Sequence, residues 1–283
     1  MKAWLNKIKR AVKPAYTYIR CTIQKVKWYI QYLIVRYQGL YPRQLSILDI
    51  KQNKRIVILV PHADDEWIGP YSILKQRLPH LNCVYFNLFG NDYSEGNKIR
   101  RNSELKASSD FWGFNLINNY NYDVDALYEE LLTSKYCFLP SPYDWHPEHR
   151  RVFQTFVTAY CKLTTEQKES LEVYYYSVSV PHSHKLHQHY IPLTKQEVDD
   201  KWRFFTKFYH SQAFMPSLRY KFQLRLVPNK IGYAAQMFVK ANDDMLHEDL
   251  AKLDKQEMLT TLERLSGKIN NIKEIRKAVM LFK

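Results

Sequence analysis

Residues 55–60 read Arg-Ile-Val-Ile-Leu-Val, a short apolar run rich in β-branched side chains and stopped by Pro61. A run of that length without polar alternation fits a strand buried on both faces. Similar runs place strands at 83–89, 136–139 and 173–178. Between and after them, the patterning predicts helices over 67–78, 98–112, 125–132, 148–162 and 195–209. Gly69-Pro70 falls near the start of the first helix, and Gly113 is a suitable C-terminal cap for the second. From Asp243 to the end the chain reads as helix again. Strands separated by helices at these distances imply βαβ units, hence an α/β fold: a Rossmann-like, mostly parallel sheet with helices on both faces.

The first 48 residues follow a different pattern. Leu5, Ile8, Val12, Ile19, Ile23, Val26, Ile30, Leu33 and Tyr37 recur at helical steps and put one apolar stripe along a helical arm, with Pro14 separating two pieces. Trp4, Tyr16, Trp28, Tyr29, Tyr32 and Tyr41 surround the stripe. The expected organisation is a basic amphipathic arm over 1–50, a catalytic domain over 51–240, and a C-terminal helical segment over 241–283 packed on that domain.

Charge sharpens the contrast. Residues 1–48 carry ten Lys or Arg and no Asp or Glu, leaving only +4 of the formal +14 for the rest of the chain. A basic arm with an apolar face and interfacial aromatics suits an anionic membrane surface; the alternative is that the stripe docks on the body while the cations face water. No recognised nucleic-acid motif accompanies the charge, so no nucleic acid is expected. No stretch of the arm is apolar for 18 uninterrupted residues and no cleavage site follows an apolar core. The expected location is therefore cytoplasmic, with a peripheral place on the inner face of the membrane open to the arm. Composition excludes a disordered or collagen-like chain: 46% of residues are hydrophobic, with 22 Tyr, 14 Phe and only 7 Gly. Cys21, Cys83, Cys137 and Cys161 lack paired metal or redox spacings and read as reduced, mostly packed thiols.

Reactive residues of such a sheet collect beyond the carboxyl ends of its strands. Two clusters sit there: Pro61-His62-Ala63-Asp64-Asp65-Glu66 after the first strand, and Asp144-Trp145-His146-Pro147-Glu148-His149-Arg150 opening a later helix. A hydrolytic divalent metal wants about three imidazole or carboxylate ligands and an open position. His62, Asp65 and His149 would supply two imidazoles and one carboxylate, with Asp64 and His146 beside them as a proton-handling pair. The set suits zinc, and ferrous iron as well. The plainer alternative is a carboxylate pair acting only as a helix N-cap. His182, His184, His187 and His189 suggest a second metal site, but no carboxylate lies among them, and a flexible polar loop near the cleft is the preferred reading.

With these motifs in view, the chain resembles the LmbE-like, or PIG-L, family of zinc-dependent de-N-acetylases. The family's His-Pro-Asp-Asp-Glu motif corresponds to His62-Ala63-Asp64-Asp65-Glu66, and its Asp-x-His-Pro-Asp-His motif to Asp144-Trp145-His146-Pro147-Glu148-His149. Arg101-Asn102-Ser103-Glu104 and Tyr209-His210-Ser211-Gln212 also resemble family elements, and the similarity spans roughly residues 54–240. Ala63 and Glu148 replace a Pro and an Asp, and Gln236 stands where a glutamate is common.

The resemblance implies zinc on His62, Asp65 and His149, Asp64 as general base, and His146 at the oxyanion or the leaving amine. Arg101, Glu104 and Asp144 are candidate substrate-binding residues; for Arg101 and Glu104 a helix-surface ion pair is the alternative. The implied reaction is hydrolysis of an N-acetyl group from an acetamido sugar of the N-acetylglucosamine type, in a cell-envelope glycan or a glycolipid. A non-catalytic, membrane-associated scaffold that keeps the metal, and a hydrolase acting on another amide or ester, are the competing readings.

Overall fold

The computed structural model of the chain describes residues 44–87, 94–182, 186, 188–212 and 217–266, together with twelve residues between positions 15 and 34. Those twelve are helical. The expected break at Pro14, Cys21, and residues 267–283 lie outside the described residues.

Among the described residues eight strands form one sheet: β1 (Ser46–Ile47), β2 (Ile56–Val60), β3 (Leu81–Tyr85), β4 (Asn115–Asn118), β5 (Tyr136–Pro140), β6 (Glu172–Tyr176), β7 (His189–Leu193) and β8 (Ala234–Ala241). Their order is β1-β7-β8-β6-β5-β2-β3-β4. Every pairing is parallel except the two made by β8, which runs antiparallel between β6 and β7. The protein thus has a mixed α/β, Rossmann-like fold.

All five residues of β2 are buried, and they alternate between two cores. Ile56, Ile58 and Val60 face one that includes Trp67, Tyr71, Trp112, Trp202 and Phe205. Val57 and Leu59 face the other, with Leu127, Phe153, Phe156, Leu246 and Leu262. Burying a side chain of this size stabilises by ~1.5–3 kcal/mol, so an apolar face on each side is what fixes β2 at the sheet's centre. Helices Glu95–Trp112 and Lys195–Phe208 cover the first face; Val124–Leu132, Pro147–Tyr160, Asp243–Leu253 and Gln256–Ser266 cover the second. The last two carry Leu246, Leu253 and Leu262 into the core, and both Tyr143 and Tyr175 donate hydrogen bonds to the buried Asp249.

Several elements differ from expectation. The helix expected over 67–78 is two short turns, Asp65–Ile68 and Tyr71–Leu74, because Pro70 lacks the N–H that would continue the first. Helix Glu95–Trp112 ends as predicted, with Gly113 at φ 77° in the left-handed region. Strands β1, β4, β7 and β8 have no counterpart in the expected set. Ser46–Ile47, assigned above to the arm, is the edge strand beside β7. Of the histidine run, His184 and His187 lie outside the described residues; His182 is buried, its Nδ1 3.0 Å from Ser177 Oγ, and His189 opens β7 with Nδ1 2.9 Å from Ser46 Oγ. Cys83 and Cys137 are buried and Cys161 is exposed, all three free.

Candidate metal centre

From β2 the chain runs outward through β3 and β4 on one side, whereas β5 and β6 lie on the other. The strand order therefore reverses between β2 and β5, and a crevice opens beyond the carboxyl ends of strands at such a point. Because β2 and β5 are parallel neighbours in register from Ile56 and Tyr136, their trailing loops emerge side by side. These loops carry His62–Glu66 and Asp144–His149.

In the first loop the peptide N–H of His62 donates to Asp65 Oδ2 at 3.0 Å, and the His62 ring brings Nδ1 within 3.2 Å of the same oxygen. Asp64 has φ 123°, a conformation rarely adopted by a residue with a side chain. Strain of that kind persists where the surroundings impose it. Here its N–H donates to Glu66 Oε2 at 3.0 Å, Glu66 Oε1 accepts from Tyr209 Oη, and Arg101 donates to the carbonyl of Ala63. Asp64 occupies the N-cap position of Asp65–Ile68 but its side chain makes no capping bond, which argues against a purely capping role.

In the second loop Asp144 is fully buried. Its Oδ1 accepts the N–H of His146 at 3.0 Å, and its Oδ2 accepts the N–H groups of Ser179 and Val180 at 2.9 and 3.3 Å. Arg150 reaches back to the carbonyls of Asp144 and Trp145. Pro147 at the first helical position fixes the turn into Pro147–Tyr160 and sets His149 in the first helical turn, facing inward.

The two loops converge. His62, His146 and His149 each bring one ring nitrogen within 4.8 Å of the others. Asp65 Oδ2, already 3.2 Å from His62 Nδ1, is also 3.2 Å from His149 Nε2. Ligand atoms about 2.0–2.1 Å from one tetrahedral ion stand ~3.3 Å apart, so the two Asp65 contacts fit edges of a coordination shell around a divalent ion.

No known family model matches the chain, and no curated protein matches it. What the centre can do is read from its own chemistry.

The donor set fits a divalent cation. His62 Nε2, His146 Nδ1 and His149 Nδ1 are buried without a hydrogen-bond partner, the last with the Asp144 carboxylate 3.4 Å away, and buried polar atoms are seldom left so. The charge balance also calls for a cation. Burial alone would lower the pKa of His149, but the Asp65 and Asp144 carboxylates outweigh it and raise the ring to about 10. Burial would raise Asp65, yet the His149 and His62 rings hold it well below its ordinary value. A pocket of this charge could hold a divalent ion in place of that proton. His146 goes the other way: burial, then the charges of His62 and His149, push it down to about 4 and keep the ring neutral. Burial raises Asp64 well above its usual range, with Arg101 opposing. Burial also raises Glu66, to about 7.

The remaining candidates are built into the frame around the centre. Asp144 backs His149, with Oδ2 3.4 Å from Nδ1. Arg101 is 5% exposed, lies 3.6 Å from Asp64 Oδ2 and 3.7 Å from Glu104 Oε2, and donates to Ser211 Oγ at 3.4 Å. Glu104 accepts from the N–H and Oγ of Ser211 at 2.8 and 2.6 Å. The Arg101–Glu104 pair is therefore an interior contact tying the loop after Lys195–Phe208 to the loop after β2, not a helix-surface ion pair. Gln236 Oε1 accepts the N–H of Ser72 at 2.7 Å. Sequence reasoning gave no role to Ser179, whose N–H holds Asp144, or to the Tyr209 hydroxyl, which donates to Glu66. Glu66 itself was visible, since it closes the first motif.

Proposed function

We propose that this protein is a metal-dependent hydrolase that removes the acetyl group from an acetamido sugar of the N-acetylglucosamine type, in the manner of the LmbE-like de-N-acetylases it resembles. The observation that carries the reading is the meeting of the His62, His146 and His149 rings within 4.8 Å, with Asp65 Oδ2 3.2 Å from both His62 Nδ1 and His149 Nε2 and Asp64 alongside, at the reversal point of the sheet.

His62, Asp65 and His149 would hold the ion, zinc or ferrous iron, and leave His146 for the substrate. Bound there, the ion would supply a polarised acetamide carbonyl and a more acidic water. Asp64, desolvated and without a capping bond, accepts the proton that water loses when it attacks the carbonyl carbon. His146 is neutral, so its ring N–H donates to the oxyanion that develops on that carbon. As the C–N bond breaks, the proton held on Asp64 passes to the departing nitrogen, and acetate and a free amine are the products. Glu66 and Arg101 orient Asp64, and Asp144 orients both histidines of the second loop.

An amine-release assay on acetylated amino sugars and their lipid-linked forms, with mass spectrometry for the loss of one acetyl group, tests this reading. Release that a chelator abolishes and added zinc or ferrous iron restores is the expected result. Cleavage confined to other amides or esters moves the substrate class. Metal binding without turnover on any of these substrates leaves a scaffold.

A further inference from the structure

We infer that the arm preceding the sheet docks on the surface of an anionic lipid bilayer through the stripe Ile19, Ile23, Val26, Ile30 and Leu33. This rests on the arm alone and not on the chemistry proposed above.

The stripe's residues are helical, and Ile19, Ile23, Val26 and Ile30 are between 49% and 56% exposed. Leu33 follows at 36%. Their spacing, alternating four and three residues, places all five on one side of a helix. Tyr16, Tyr18 and Tyr29, off the stripe, are exposed as well, so the described arm residues carry no contact that covers the stripe. Five large aliphatic side chains in one exposed row are a binding surface, since isolated apolar residues scatter but do not align.

Charge selects the occupant. The same spacing would also serve a two-stranded coiled coil. In such a pair, however, Arg20 and Lys27 would flank the seam, and residues 1–48 hold ten cations and no carboxylate to answer them. Two copies would bring like charges together. An anionic lipid surface satisfies both features at once, because the stripe enters the acyl boundary while the cations meet the headgroups. Trp28, Tyr29 and Tyr32, interleaved with the stripe in the sequence, are side chains favoured at that boundary. The ten cations spread through residues 1–48 leave no 18-residue apolar stretch in the arm, which suits surface docking.

Flotation of the full chain with vesicles of phosphatidylcholine plus phosphatidylglycerol, against phosphatidylcholine alone, tests the inference. The protein is expected to float with the anionic vesicles only, and less so at high salt. Neutralising Lys25 and Lys27 to Gln lowers the partition coefficient ~5-fold per cation. Ile23→Asp with Ile30→Asp abolishes flotation; both positions are exposed, so the unfolding midpoint of the body stays that of the parent. Failure of the full chain to float with anionic vesicles overturns the inference. So does flotation of the Asp double variant equal to the parent's. A lipid-independent dimer that the double variant dissolves, without flotation of the parent, would assign the stripe to a second copy instead.

Discussion

Asp144 Oδ2 stands 3.4 Å from His149 Nδ1, which turns the other ring nitrogen toward Asp65, 3.2 Å away. A buried carboxylate behind a ligating imidazole fixes the ring's tautomer and raises its basicity. Asp144 is itself held by three backbone N–H groups, so it does not swing away. Asp144→Asn keeps the shape but removes the charge. It is expected to weaken metal affinity ~10–100-fold, read by competition against a chromophoric chelator. Unchanged affinity would remove Asp144 from the support of His149.

Asp64 and His149 should separate cleanly by readout. On the proposed chemistry His149→Ala deletes a ligand and is expected to yield protein with little bound metal by elemental analysis. Asp64→Asn, on the proposed chemistry, keeps near-parental metal content and loses turnover by ~10²–10⁴-fold, the range for a positioned proton-transfer group. Equal metal loss in the two variants would contradict the division of roles.

The central strands and both motif loops are legible in the sequence because their signals are local. The unbroken run at 56–60 announces a strand buried on both faces, and imidazoles and carboxylates are crowded into two short segments. The outer strands are harder to read. β4 is Asn-Leu-Ile-Asn, β7 contains Pro192, and β8 begins Ala-Ala-Gln, so none presents a continuous β-branched run. Their strand character comes from pairing partners far along the chain. The frame of the site is hidden for the same reason. Glu104 reads as a surface helix acid until Ser211, 107 residues later, is folded against it.

Gly69 caps the Asp65–Ile68 turn after β2. A Cβ built there would overlap the ring of Tyr176 and come within 2.9 Å of the Asp65 carbonyl. Tyr176 cannot easily yield, since it is fully buried and its Oη donates to the Leu59 carbonyl at 2.6 Å. Gly69→Ala should therefore cost ~1–3 kcal/mol of stability by overpacking and lower metal affinity by displacing Asp65. Denaturant unfolding and metal titration on the same variant check both. A parental stability would show that the β6 side gives way.

Lys201 offers a test that lies away from the metal ligands. It is 1% exposed, its Nζ donates to the carbonyl of Ile68 at 2.9 Å, and burial lowers its pKa to about 7. No carboxylate pairs with it among the described residues. The unfolded chain holds this proton up to the ordinary lysine range, near 10.5. Between about pH 7 and that range the unfolded state binds more protons, so this residue's cost to folding is largest below pH 7 and fades as pH rises. Lys201→Met removes the buried charge but leaves the Ile68 carbonyl without its donor, a loss of ~1–3 kcal/mol. The variant should be the more stable protein at pH 6. Its advantage should shrink by ~1.4 kcal/mol per pH unit above 7, ~3 kcal/mol by pH 9. Urea unfolding of both proteins at pH 6 and pH 9 measures the difference, and one that does not change with pH would mean Lys201 keeps its ordinary pKa in the fold.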